Sequence, residues 1–315
     1  MSSKIFVALS TFAEYGPEPL ELLKKSDVPY ALNTTGRRLR ADEVVESAKN
    51  CSGIIAGVEP YREDVLNRLP QLKCISRCGV GLDNIAVDKA RELGIVICNT
   101  PAAVVDPVAE LTVGMILDLL RHITWHTNAL RQKKWEKKGG TLLKGKRVGI
   151  LGLGRIGKRV AELLLGFQVK IVAADPHPDI AWAEQHGVSV ITLDELLQTA
   201  DIVSLHLARN LEFPFCLSEK EIAMMKDGAL VVNLARGELI DEGALYAALK
   251  SGKLQGAALD VFQEEPYRGR FCELDQVILT PHVATLTRES RLEMEIHAVR
   301  NLLDCLLSDK QPLFS

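Results

Sequence analysis

A chain of 315 residues, 47% hydrophobic and 25% charged, can bury a large core and is long for one small domain, so two domains are expected. Its formal net charge of −3 argues against nucleic-acid binding and against an anionic membrane surface as partner, and the one basic stretch, RQKKWEKK at 131–138, reads as a solvated helix end. Seven scattered cysteines form no CxxC pair and no histidine pair has ligand spacing, which argues against a metal site and places the chain in a reducing cytoplasm.

The N-terminus, MSSKIFVALSTFAEYG, carries only a short apolar patch and reads as a first strand rather than a signal peptide; no run is long enough to span a bilayer. Strands are predicted at residues 4–9, 53–57, 72–76 and 95–99, with a weaker one at 30–33. Helix-period patterns fall between them at 19–25, 41–50, 64–69 and 87–93. Such alternation predicts a parallel sheet with helical crossovers, a complete α/β domain within the first hundred residues. A long helical stretch follows at 107–134, broken near Arg121. The alternation then restarts, with strands expected at 147–151, 170–174, 201–207, 230–234, 256–261 and 277–280. Capping boxes are expected at Thr192–Glu195 and Ser218–Glu221, and an amphipathic helix over 287–308 closes the chain.

The second α/β stretch opens on VGILGLGRIG, a glycine turn with Gly152, Gly154 and Gly157 in GxGxxG spacing. The first glycine permits a tight turn, the second a close approach of backbone to a pyrophosphate, and the third tight packing of helix on strand. The N–H groups of Arg155 and Ile156 then open the following helix, where an anion is favoured. The next predicted strand ends in Asp175, placed to hydrogen-bond an adenosine ribose and to repel a 2′-phosphate. These residues predict a dinucleotide site that takes NAD.

Three later segments, VVNLARGELID, ALDVFQEEP and ILTPHVATLT, each start as a strand and end in a polar cluster. Their charged residues, Arg236, Glu265 and His282, therefore fall at strand C-terminal ends, the ligand edge of an open parallel sheet. Hydride chemistry on a 2-hydroxy acid needs such a set. A cation holds the carboxylate, an imidazole exchanges a proton with the C2 oxygen, and a carboxylate fixes the imidazole.

At these motifs the chain resembles the D-isomer-specific 2-hydroxyacid dehydrogenases, and most closely their short 3-phosphoglycerate dehydrogenase-like branch. The resemblance runs through CGVGLDNI, NTP, VAELTVG, GKRVGILGLGRIGKRVA, NLARGELIDEGAL, GAALDVFQEEP and TPH. It implies two doubly wound parallel-sheet α/β domains, with a Rossmann cofactor domain (101–285) inserted into a flavodoxin-like substrate domain (1–100 and 286–315). It also implies that Arg236 binds substrate, that His282 is the acid/base and that Glu265 is its partner. Asp260 is implied near that pair and among the cofactor-binding residues. Gly79, Val80 and Gly81 are implied to offer N–H groups to the substrate carboxylate, and residues 108–140 to form the arm that pairs subunits in a homodimer.

The chain departs from the branch in two places. Gly57 stands where relatives often carry an arginine, which leaves Arg77 either as a contact for an anionic substrate tail or as a salt-bridged rim residue. The stretch HLARNLEFPFCLS at 206–218 lacks a proline at Ala208 and adds Arg209, Phe213 and Phe215. The resulting expectation is an NAD-dependent oxidoreductase acting on a small, anionic D-2-hydroxy acid, 3-phosphoglycerate-like or related. The alternatives are an NAD-sensing scaffold of the corepressor type, or a relative that oxidises phosphite or formate.

Overall fold

Strand and helix alternate along the chain in the computed structural model, which describes residues 4–207 and 215–307. They gather into two units, Met1–Val104 with Leu286–Ser315, and Val105–Thr285. The first unit runs β1 (Ile5–Val7), α1 (Glu18–Lys25), β2 (Tyr30–Leu32), α2 (Ala41–Ala48), β3 (Gly53–Ala56), α3 (Glu63–Leu66), β4 (Cys74–Arg77), α4 (Val87–Glu92) and β5 (Val96–Cys98). The second contains α5 (Val105–Arg121), α6 (Ile123–Arg131), β6 (Arg147–Leu151), α7 (Arg155–Leu165), β7 (Lys170–Ala174), α8 (Ile180–Gln185), β8 (Ser189–Val190), α9 (Leu193–Thr199) and β9 (Ile202–Leu205). It continues through α10 (Glu219–Met224), β10 (Ala229–Asn233), α11 (Glu242–Ser251), β11 (Leu254–Leu259) and β12 (Val277–Leu279). The last helix, α12 (Arg288–Leu307), returns to the first unit.

In the first unit five parallel strands lie in the order β2-β1-β3-β4-β5, the flavodoxin-like arrangement. Phe6, Ile54 and Ile75 face one buried cluster with α2 and α3 residues such as Val44 and Val65. Packing explains why α12 joins a sheet so distant in sequence. A Cβ at Gly53 would lie 2.7 Å from Leu306 Cδ1 and 3.0 Å from Leu302 Cδ1, so the missing side chain lets the helix settle onto β3. Ser290 Oγ donates to Ala103 O at 2.7 Å and Asn301 Nδ2 to Asn99 O at 3.0 Å, fixing the register of α12.

Seven parallel strands form the second sheet in the order β12-β11-β10-β9-β6-β7-β8. Counted from β6, this is the Rossmann order with one strand added, and the switch point lies between β6 and β9. Both faces are covered, which is why β10 reads ALVVN without polar alternation. Leu230 and Val232 join Val148, Ile150 and Ile116 on one face, while Ala229 and Val231 join Leu196 and Leu245 on the other.

The long helical stretch is interrupted one residue beyond the expected break, at His122, whose φ of 54° is left-handed. Strand β8 was not foreseen, because two residues are too few to show a period. Of the two expected capping boxes, Ser218 N–H donates to Glu221 Oε2 at 3.1 Å as required. At the other, Thr192 caps the Glu195 N–H at 3.2 Å, but the Glu195 carboxylate turns to Arg147, 3.7 Å away. Ala208, Arg209 and Phe213 of the unusual 206–218 stretch lie outside the described residues; Phe215 packs on the second unit's core.

Candidate active site

Strands β10, β11 and β12 are neighbours, so the segments leaving their C-terminal ends start side by side. Arg236 follows β10 and is half-buried, its guanidinium donating to Ala235 O at 2.7 Å. Buried Asn233 shapes this turn: its side chain donates to Arg236 O at 2.8 Å and accepts from Ala235 N–H at 3.0 Å. The next residue must be glycine. A Cβ at Gly237 would sit 2.0 Å from the Phe262 carbonyl carbon, so the segments after β10 and β11 touch backbone to backbone.

Glu265 and His282 meet. His282 Nδ1 lies 2.9 Å from Glu265 Oε2 and 3.2 Å from Oε1, and the Phe262 N–H also donates to Oε1 at 3.2 Å. A carboxylate on Nδ1 assigns the proton there and leaves Nε2 for exchange with a substrate oxygen. The imidazole is half exposed, with 52% of its side-chain surface accessible, so a small molecule can reach it.

Beneath this pair lies Asp260, fully buried. Expected among the cofactor-binding residues, it spends both carboxyl oxygens on the 280–284 turn: Oδ1 takes Thr280 Oγ1 at 2.5 Å and Val283 N–H at 2.8 Å, and Oδ2 takes Ala284 N–H at 2.9 Å. The His282 N–H adds a bond to Asp260 O at 2.9 Å. This grip holds His282 at φ 54°, a left-handed conformation costing a non-glycine residue about 1–3 kcal/mol. Asp260→Ala strands three buried or half-buried donors at about 1–3 kcal/mol each. The expected loss is about 3 kcal/mol or more in urea unfolding, with kcat falling as His282 loses its position.

The glycine turn sits at the switch point, between β6 and α7, and a dinucleotide fits it. Gly152 has φ +96°, and a Cβ there would lie 2.7 Å from His206 O, so a side chain is excluded by conformation and by contact. A Cβ at Gly157 would lie 2.0 Å from Gly152 O, which draws α7 tight against the turn. Gly154 differs: nothing lies within 4 Å of its Cβ position, which opens outward and is the face a pyrophosphate would approach. The N–H groups of Arg155 and Ile156, in the first turn of α7, have no intrahelical acceptors. Asp175 closes β7, half-buried; its carboxylate takes Leu153 N–H at 2.6 Å and His177 N–H at 2.7 Å.

In the first unit, the glycine loop follows β4. Gly79 does not offer a free donor: its N–H is bound to Thr100 Oγ1 at 2.8 Å, and the Thr100 N–H returns to Gly79 O at 3.0 Å. Asn99 Nδ2 holds Val80 O at 3.1 Å. Among the described residues nothing accepts from the N–H groups of Val80 and Gly81, so two of the three donors expected of the loop are open.

The profile of the D-isomer specific 2-hydroxyacid dehydrogenase NAD-binding domain matches residues 113–284. The chain belongs to that family. It is an NAD-dependent oxidoreductase acting on CH–OH donors, as its family is. Hydroxypyruvate reductase of Thermotoga maritima is 38% identical over 279 residues, 86% of this chain and 90% of that one. D-3-phosphoglycerate dehydrogenase of Methanocaldococcus jannaschii is 40% identical over 80% of this chain, which covers only 49% of that longer protein. Among solved structures, D-lactate dehydrogenase from Aquifex aeolicus, complexed with NAD and lactic acid, superposes with a TM-score of 0.85 at 29% identity, covering 96% of this chain and 95% of that one.

In this dehydrogenase Asp175, expected to meet the ribose, ties down the glycine turn. Asp175→Ala is expected to raise the ratio of NADP to NAD in kcat/KM by roughly tenfold, about 1.4 kcal/mol. Part of that change comes from weaker NAD binding as Leu153 loses its acceptor. Asn233, Thr280 and Thr100 were missed as well. Each is a small polar residue within a motif already quoted, and what marks it is the hydrogen bond it makes once folded.

Proposed function

We propose that this dehydrogenase interconverts a small D-2-hydroxy acid and its 2-oxo acid, with Arg236, Glu265 and His282 as its chemical groups. The hydrogen bond between His282 Nδ1 and Glu265, at the ends of adjacent strands, carries this reading. Gly152, Gly154, Arg155, Ile156, Gly157 and Asp175 hold the dinucleotide, whose nicotinamide, when bound, donates or accepts the hydride. His282 holds the transferable proton at Nε2. In reduction it gives that proton to the oxygen developing charge at C2, and in oxidation it removes it. Glu265 stabilises the doubly protonated ring between these events. Arg236 binds the acid and lowers the energy of the charge on its oxygens, a preorganised electrostatic effect. Val80 and Gly81 receive the acid's carboxylate in the first unit, which is therefore the substrate domain.

The relatives are named as enzymes of hydroxypyruvate, phosphoglycerate and lactate, which supports turnover over a scaffold role. Oxidation of NADH by the purified chain with glyoxylate, hydroxypyruvate, pyruvate, 2-oxoglutarate and 3-phosphohydroxypyruvate tests it; silence on all of them, with NADH bound, refutes it. Two further features belong to the same reading. The chain works as a homodimer through residues 108–140, where Ile123, Leu130 and Trp135 are exposed apolar side chains on and beyond α6. It works in the cytoplasm, consistent with seven free cysteines. No helix among the described residues is long and apolar enough to cross a membrane.

A further inference from the structure

At the carboxyl edge of the first sheet, Ala56 of β3 stands opposite Arg77 of β4, so the segments leaving these strands begin together. Glu59, 3% exposed, folds back until its Oε2 accepts the Gly57 N–H at 2.8 Å. Its two carboxylate oxygens lie 3.0 and 3.1 Å from where a Cβ of Gly57 would be, so the carboxylate fills the ground next to that glycine. Asn84 Nδ2 pins the segment by donating to Glu59 O at 2.6 Å and Gly57 O at 3.2 Å. The guanidinium of Arg77 is laid against the glycine loop. A Cβ at Gly79 would lie 2.7 Å from Arg77 Nη1, and Nη1 donates to Cys78 O.

Both groups are removed from water. Burial raises the pKa of Glu59, and the Gly57 N–H and Arg77 oppose that rise. Burial likewise lowers the pKa of Arg77, against the field of Glu59. Arg77 Nε is buried without a hydrogen-bond partner, so the polar network around this guanidinium is incomplete. A second cation whose field reaches Arg77, Arg291 of α12, pairs at 3.0 Å with Glu295, which is 1% exposed and accepts the Ala13 N–H at 2.8 Å. Arg291 is thus paired directly, whereas Arg77 and Glu59 act on each other through space, without a direct ion pair. On these segments the carboxylates of Glu59 and Glu295 set negative charge against Arg77 and Arg291.

We propose that Glu59 is a specificity-determining residue, whose buried carboxylate sets a negative charge at the edge that Arg77 and the glycine loop share and rejects substrates with an anionic tail. The substrate class is then a 2-oxo or 2-hydroxy acid whose only charge is its own carboxylate, with a hydrogen, methyl or hydroxymethyl tail. The proposal rests on the reading of Val80 and Gly81 as the carboxylate loop. Of the two readings of Arg77 that the sequence left open, it disfavours the contact with an anionic substrate tail. Rejection by a buried like charge is specificity by exclusion, which a tight pocket alone does not give.

The test compares kcat/KM of the full chain for hydroxypyruvate and 3-phosphohydroxypyruvate, which differ in the charge of the tail. The wild type is expected to prefer hydroxypyruvate by about 100-fold or more. In Glu59→Gln, which keeps an acceptor for the Gly57 N–H, that preference is expected to shrink at least about tenfold, through a lower KM for the phosphorylated acid. Equal or better use of the phosphorylated acid by wild type overturns the proposal, and so does an unchanged preference in Glu59→Gln. Inhibition of the wild type gives a second readout that needs no variant. A monocarboxylate such as oxamate should compete with hydroxypyruvate, and inorganic phosphate should not; competition by phosphate overturns the proposal. Silence on every acid removes the dehydrogenase reading along with this one, whereas turnover without discrimination removes this one alone.

Discussion

His282→Ala is expected to lower kcat for a 2-oxo acid by about 10²–10⁴, roughly 3–5 kcal/mol of transition-state stabilisation, while NADH binding is retained. The reason is local. The imidazole contributes through Nε2 only when a proton moves, and among the described residues its Nδ1 partner, Glu265, takes one other donor, the Phe262 N–H. The effect should therefore fall on kcat and leave KM for the acid nearly unchanged. Arg236→Ala should behave differently, raising KM as well as lowering kcat, because a cation that holds the carboxylate acts in the ground state too. Glu265→Gln keeps a group beside Nδ1 without its charge and should cost less than removal of the imidazole. Single-turnover and steady-state rates for the three variants separate these roles. A His282→Ala enzyme with near wild-type kcat would mean that the proton comes from another group.

Much of this was legible in the chain because the parts that matter are local. Alternating apolar runs exposed nearly every strand of both sheets, and GxGxxG after a strand marked the switch point where β6 meets β9. That Arg236, Glu265 and His282 follow neighbouring strands could be read because strand ends are readable and a parallel sheet puts them on one edge. What stayed hidden depends on contacts between distant residues. Nothing in the sequence shows that Gly79 spends its N–H on Thr100, twenty-one positions away, or that Asp260 carries the 280–284 turn on its two oxygens. Glu59 carried no motif at all. It becomes visible only when the fold closes it over Gly57 and beside Arg77, and a carboxylate with 3% exposure stands out against the usual exposure of glutamate.

The three glycines of the turn have different jobs, and substitution by alanine should separate them. Gly157→Ala puts a methyl 2.0 Å from Gly152 O and 3.2 Å from Ile150 Cγ2. The obstacle is backbone, not a side chain that can rotate away, so α7 must lift from β6. A strain of about 1–3 kcal/mol or more is expected, visible as a lower Tm before any cofactor is added. Gly154→Ala meets nothing within 4 Å, and its φ of −75° suits any residue. Its Tm should stay within about 2 °C of the wild type, since surface substitutions of this kind shift stability by less than about 0.5 kcal/mol. Yet its methyl occupies the face that a pyrophosphate must approach, so its Kd for NADH should rise by at least about tenfold. The pair divides a packing role from a binding role within four residues. Wild-type NADH affinity in Gly154→Ala would show that the phosphates lie elsewhere, even if Gly157→Ala melts early.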